Sequence, residues 1–393
     1  MDRILYRDAA LTDARSPDLQ VGVSVLVSDG VISWMGPSDS EPDPGDARVV
    51  DAGGTTIVPS MVDSHSHLSL PGGSHWIERG QDPRPELEQV AEDNARLLMA
   101  AGVRWVRDVG SPRRPDPAGG ERAMTLQIRD AWAGRGRLAP YIRAAGTWLT
   151  KSGALPPGLT VEADDGEALV AAAVAQLDEG ADLIKLYLDG PDKDTAPWTV
   201  DEVAAVVNAV HARGAKVTAH ATRLHGTRIG AEARVDAVEH GFEIDADTAK
   251  SMAANGVFVV STLAVMSSWQ SFSTTTTIPR FVEAESRSAI ADRLEHGEES
   301  LRIARKAGVP IAAGTDFGGG SLRANQLAWE VEAMVRAGLE PWEALAAVTW
   351  RGGELLGEPG AGVIEIGGPA DFFLVHGDPL SDPTALWRVW KVA

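Results

Sequence analysis

A chain of 393 residues with 44% hydrophobic and 23% charged side chains has the makeup of a folded globular protein, neither disordered nor fibrous. Its net charge of −20 excludes nucleic acid or an anionic membrane surface as the main partner, because both need a basic face. The absence of cysteine excludes disulfides, a thiol nucleophile and Cys-held metals, so any metal must be held by histidines and carboxylates.

The chain opens on Met1-Asp2-Arg3-Ile4-Leu5, with no basic segment leading into an apolar one. No apolar run is long enough to span a bilayer, so the cytoplasm is the expected compartment. Residues 1–57 read as short strands. The runs 22–27 and 31–34 flank the turn Ser28-Asp29-Gly30, a hairpin signal, and 38–46 is a polar loop. Apolar runs with strand character follow at 56–62, 103–109, 141–145, 183–188, 216–221, 237–239, 257–263 and 310–313. Between them lie helical patterns, among them 85–101, 166–179, 199–213, 287–307 and 324–337. These are followed by the helix-ending glycines Gly102, Gly180, Gly214, Gly308 and Gly338. The low-complexity patch at 273–277 is expected to be a mobile loop. Strand character returns at 363–368 and 370–375. Eight strands alternating with helices predict an α/β protein: a (β/α)8 TIM barrel over 58–357, with a small β-sandwich domain built from 1–57 and 358–393.

In such barrels the active site lies at the carboxyl ends of the strands. The first strand ends in Asp63-Ser64-His65-Ser66-His67, and residues two apart on a strand share a face, so both imidazoles can point at one cation. The fourth strand carries Lys185. The fifth ends in Thr218-Ala219-His220, the sixth in Val238-Glu239-His240-Gly241 and the eighth in Ala313-Gly314-Thr315-Asp316. A lone strand-end histidine is more often a hydrogen-bonded structural residue, a lone lysine more often ion-paired, and Asp316 in its Asp-Phe-Gly-Gly-Gly setting could be a turn residue. Five strand ends in barrel order, each with a group suited to a divalent metal, point to a metal site of the kind that takes zinc, manganese or iron.

The chain resembles the metal-dependent amidohydrolases, in their imidazolonepropionase-like and prolidase-like branch. The resemblance runs from Ile57 through Asp63-Ser64-His65-Ser66-His67, past Val235-Asp236-Ala237-Val238-Glu239-His240-Gly241 and Ala313-Gly314-Thr315-Asp316, to the tail Gly367-Gly368-Pro369-Ala370-Asp371-Phe372. It implies two divalent metal ions, zinc first and manganese or iron as alternatives. His65, His67 and Asp316 would hold the more buried ion and His220 and His240 the more exposed one. Lys185, N-carboxylated by carbon dioxide, would bridge them. It implies catalysis by metal-bound hydroxide, with Asp316 as general base and then acid and His240 and Lys185 in the catalytic group. Lys185 discriminates, because mononuclear deaminases and imidazolonepropionases of the superfamily usually lack a lysine there and often carry a Glu after the fifth-strand histidine. Here that segment reads His220-Ala221-Thr222-Arg223.

The loops after the strands supply the pocket rim. Trp76, Trp148, Trp198 and Trp269 fall there and favour an apolar or aromatic small-molecule substrate. His75, Arg223, His225 and Arg323 are candidates to bind a carboxylate, and Tyr187 to donate to a substrate oxygen. Two departures stand out. The stretch Gly146-Thr147-Trp148-Leu149 has no histidine where peptidase-like relatives often carry one, and Thr349-Trp350-Arg351 stands where the family often has an asparagine. The expected function is hydrolysis of an amide-type C–N bond. A lactone, carbamate or other ring bond, a mononuclear deaminase and a non-catalytic binding barrel are the alternatives, and a homo-oligomer stays open.

Overall fold

The computed structural model describes residues 2–192 and 194–393. Strands from both chain ends share one seven-stranded sheet. Its order is Val389–Val392, Phe372–His376, Thr55–Pro59, Arg3–Leu11, Gln20–Ser28, Val31–Pro37, and Arg48–Asp51 also pairs with Arg3–Leu11. The expected hairpin forms between Gln20–Ser28 and Val31–Pro37. Asp29 and Gly30 both take positive φ, as a two-residue turn matching strand twist requires. The run 56–62 becomes two strands. Thr55–Pro59 joins the terminal sheet and Met61–Ser66 starts the second layer, with the amide of Ser60 bonded to the carbonyl of Asp371 between them.

The middle of the chain forms two arcs of parallel strands. One runs Met61–Ser66, Val103–Asp108, Tyr141–Ala144. The other, of seven strands, runs Thr160–Glu162, Trp148–Thr150, Leu183–Tyr187, Lys216–Ala221, Ala237–His240, Phe258–Ser261, Ile311–Ala313. Isolated parallel bridges Ala145–Leu183 and Ser66–Phe317 lie between the two arcs. Helices such as Arg84–Ala100, Gly166–Asp178, Val200–His211 and Ala284–Ala307 connect the strands. These parallel strands are buried on both faces and read as apolar runs for that reason.

The strand Phe372–His376 fastens the two layers together. Its alternation sends Phe372 and Leu374 into the core of the terminal sheet, and Phe373 and Val375 into the main core. Beside it, Asp371 meets two arginines of the other layer, Arg104 at 3.3 Å and Arg137 at 2.9 Å. The patch at 273–277 departs from expectation: helix Leu263–Thr275 takes in its first three residues. Thr274 and Thr275 donate their hydroxyls to the carbonyl of Ser271, and burial of Leu263, Ala264, Val265 and Met266 outweighs threonine's weak helix propensity.

Candidate active site

At the carboxyl ends of the parallel strands, His65, His67, Lys185, His220, His240 and Asp316 line one cavity of about 540 Å³. One donor atom from each of His65, His240 and Asp316 lies within 4.8 Å of the others. His67 Nε2 is 3.3 Å from Asp316 Oδ1, and the rings of His220 and His240 are 4.5 Å apart. His240 and Asp316 both hold a left-handed backbone, φ 71° and 55°, a conformation that non-glycine residues keep only where the surroundings enforce it. Gly314 allows this packing, because a Cβ there would come within 2.2 Å of the His65 nitrogen.

Each imidazole is oriented from behind. Glu239 Oε2 lies 2.7 Å from His65 Nδ1, the Gly110 carbonyl 2.8 Å from His67 Nδ1, and Thr262 Oγ1 2.8 Å from His240 Nδ1. In these three rings Nε2 is left for the centre. His220 is turned the other way: Asp189 Oδ2 sits 3.1 Å from its Nε2, which leaves Nδ1. Thr222 donates its amide and hydroxyl to the same carboxylate oxygen. Outer partners of this kind fix the nitrogen that a ligating histidine offers. Glu239 also takes Arg107 and the Thr218 hydroxyl, making a buried network under the site. Lys185 Nζ is buried with no hydrogen-bond partner among the described residues.

The charges follow from that packing. Burial pulls the Lys185 ammonium down to about 8 against the opposing pull of Glu239. Burial and the neighbouring imidazoles of His220 and His65 hold His240 neutral, well below its ordinary range. Burial likewise lowers His220, although Asp189 opposes it. Burial also works against a charge on Asp316, but His65 and His67 hold its carboxyl well below the usual carboxylate range. Burial and Lys185 disfavour a charged His65, and Glu239 and Asp316 outweigh them, raising it. Burial and Asp189 push the Tyr187 phenol up, so it stays protonated. Two imidazoles held down, those of His220 and His240, an ionised carboxylate and an unpartnered buried lysine nitrogen are a donor set that fits divalent metal ions.

The rim candidates divide. Trp76, Trp148, Tyr187, Arg223 and Trp269 line the cavity. Tyr187 stacks on His220 at 4.1 Å, and Trp148 packs on His67 at 5.0 Å. His75 is not among the lining residues; it is exposed at the start of the short helix Trp76–Arg79, whose Trp76 lines the cavity. Trp198 is buried in the main core, and Arg323 reaches back to the Pro71 carbonyl. Sequence reasoning missed Glu239, Arg107, Asp189 and Arg293. Glu239 was visible next to His240, but its partner Arg107 lies on a different strand. Asp189 follows Lys185 by four residues, as a strand-end carboxylate. Arg293 sits mid-helix, where nothing in the local pattern marks it.

Histidines and an aspartate gathered at the ends of parallel strands define a metallohydrolase class of site. Residues 56–392 match the model described as the amidohydrolase family, and the chain belongs to that family, as an enzyme that hydrolyses C–N bonds. Enzymes of this family generally use divalent metal ions. An uncharacterized protein of Mycobacterium tuberculosis is 30% identical over 379 residues, 94% of this chain and 90% of the relative. The imidazolonepropionase of Anaeromyxobacter dehalogenans is 27% identical over 414 residues, covering 94% of this chain and 89% of that protein. The crystal structure of a Xaa-Pro dipeptidase with methionine in its active site superposes with a TM-score of 0.82 at 25% identity, covering 99% of this chain and 97% of that one. These similarities put the chain in the imidazolonepropionase-like and prolidase-like branch. No helix among the described residues is long and apolar enough to cross a membrane.

Proposed function

We propose that this chain is a binuclear metal-dependent hydrolase that cleaves an amide-type C–N bond in a small apolar or aromatic molecule. Lys185 carries the reading: a buried amine pulled down to about 8, unpartnered, facing the cavity beside four histidines and Asp316. An ammonium there would be repelled by two dications, whereas a carbamate on Lys185 would be anionic and would suit a place between them. On this reading His65, His67 and Asp316 hold the more buried ion, His220 and His240 the more exposed one, and Lys185 bridges. Zinc suits the donor set, as do manganese and iron. The strands that carry these residues then form the (β/α)8 barrel expected from the sequence, with 1–57 and 358–393 as its companion β-domain.

Divalent ions in such a site lower the pKa of water and polarise a carbonyl. The chain's own residues do the remaining work. Asp316, ionised and bordered by His65 and His67, takes the proton from the attacking water and later delivers one to the leaving nitrogen. Tyr187, kept protonated, donates toward a substrate oxygen. Trp76 and Trp148 wall the cavity and exclude bulk water from an apolar substrate.

The test is metal analysis combined with a substrate screen of N-acyl amino acids, dipeptides, aryl amides and lactones. Two metals per chain and amide cleavage abolished by chelation are expected. Metal-free protein from supplemented medium overturns the reading. A second reading, a mononuclear deaminase, draws on the fact that one set of donors, His65, His240 and Asp316, meets within 4.8 Å. It predicts one metal per chain, ammonia release and tolerance of Lys185→Ala.

A further inference from the structure

The charged groups lining the cavity are not equally occupied. Both of its carboxylates are committed to imidazoles, Asp189 to His220 and Asp316 to His65 and His67. Its arginines differ from one another. Arg280 donates to the Ser74 carbonyl and lies over the Phe281 ring at 4.7 Å. Arg223 reaches a carboxylate, Glu243, only at 3.8 Å. Arg293, half-buried on helix Ala284–Ala307, has no hydrogen bond or ion pair among the described residues.

A guanidinium carries five N–H donors, and those of Arg293 meet no protein acceptor among the described residues, which leaves them to water or to a ligand in the cavity. Burial and the charge of nearby Arg223 hold Arg293 below its ordinary pKa, and the more weakly acting carboxylates of Asp189 and Glu243 do not make up the deficit of negative charge. A planar carboxylate relieves it, because it accepts two parallel hydrogen bonds from one guanidinium and takes charge from both. The surroundings describe the rest of the ligand. Ile290, three residues earlier on the same helix, lines the cavity with Phe281, and another wall is the apolar cluster of Trp148, Leu159, Trp76 and Ile77. Asp189 spends Oδ2 on His220 and Thr222 and keeps Oδ1 buried without a partner, and among the described residues those apolar walls offer an ammonium no acceptor.

We propose that Arg293, with Arg223 beside it, binds a substrate carboxylate, so that the substrate is an N-acyl amino acid with an apolar acyl group and no free amine. This rests on the hydrolase reading above and narrows it. The amide C–N bond breaks, the hydroxyl of water joins the acyl carbon and its proton joins the nitrogen. The products are a carboxylic acid and a free amino acid.

The test separates the two claims by pairing binding with turnover. Binding is followed calorimetrically on the metal-loaded protein with two probes that lack an amide-linked leaving group or a free amine, 4-phenylbutanoate and its neutral isostere methyl 4-phenylbutyl ether. Turnover is followed with N-benzoyl-leucine against N-benzoyl-leucinamide. The carboxylate of each pair is expected to be favoured by about 100-fold, in Kd for the probes and in kcat/KM, mainly through KM, for the substrates. Arg293→Gln cuts the carboxylate member by about 100-fold and the neutral member by less than tenfold, and Arg293→Lys recovers part of the loss. Equal losses on both members, or no preference in the wild-type protein, overturn the proposal. A carboxylate preference in binding without any hydrolysis sinks the hydrolase reading and leaves the anion site standing.

Discussion

The floor of the cavity and its rim are built on different principles. On the floor the imidazoles are fixed from behind: Glu239 holds His65, Arg107 and Thr218 together, Thr262 holds His240, Asp189 holds His220, and the Gly110 carbonyl holds His67. At the rim, Arg293 has no partner among the described residues and Arg223 reaches its own at 3.8 Å. A floor locked in this way is suited to chemistry that tolerates little displacement, and a rim with unspent donors is suited to a ligand that completes it. The same contrast makes floor residues costly to change and rim residues selective in their effects.

The contrast can be broken or sharpened by experiment. The largest effect is expected at Lys185. Lys185→Ala lowers metal-dependent hydrolysis on the order of 1000-fold and reduces the metal count from two toward one, read by rate assays and metal analysis. A tolerated change means that the floor needs no bridge. Glu239→Gln is next. It frees His65 Nδ1 and leaves Arg107 buried without its counter-charge, so unfolding in urea shifts by about 3–5 kcal/mol and metal affinity drops by roughly 10–100-fold. Unchanged stability would show that the network is not a clamp.

A smaller, pH-dependent effect belongs to Glu330. It accepts from Ser261 and from the amides of Leu263 and Ala264, and so steadies the segment that carries Thr262. Burial raises its carboxyl to about 7. The native state therefore holds this proton more tightly than the unfolded chain. Its contribution to stability is present at pH 4 and is lost as pH rises through about 7, on the order of 1–3 kcal/mol. Denaturant midpoints taken across that range should fall in the wild-type protein and flatten in Glu330→Gln; parallel curves contradict the assignment. The smallest effect is reserved for the outermost residue: His75→Ala should leave kcat/KM within about twofold. A tenfold loss would bring His75 into the rim after all.

Much of the framework was legible because its signals are local. Buried parallel strands read as apolar runs, and glycines closed the helices, so the order of strands and helices could be taken directly from the sequence. The convergence of His65, His67, Lys185, His220, His240 and Asp316 on one cavity followed from their common place at strand ends. What stayed hidden depends on tertiary contact. Arg107 and Glu239 are 132 residues apart. Trp198 has a rim position in sequence but turns into the core, and Arg293 is one arginine among several on a polar helix. The break at 59–61 escaped notice because one apolar run serves two layers without a change in composition.

The terminal sheet has a consequence for synthesis. Thr55–Pro59 lies between Arg3–Leu11 and Phe372–His376, and a bond such as that from Thr56 to the Gly377 carbonyl joins residues 321 positions apart. While a ribosome is still translating the middle of the chain, the early strands present an open edge whose native neighbour does not yet exist. Such edges recruit other chains, so the nascent protein is most exposed to aggregation until Phe372–His376 emerges. Slowing translation just ahead of Phe372–His376 should therefore burden this protein more than one whose strands find their partners close by.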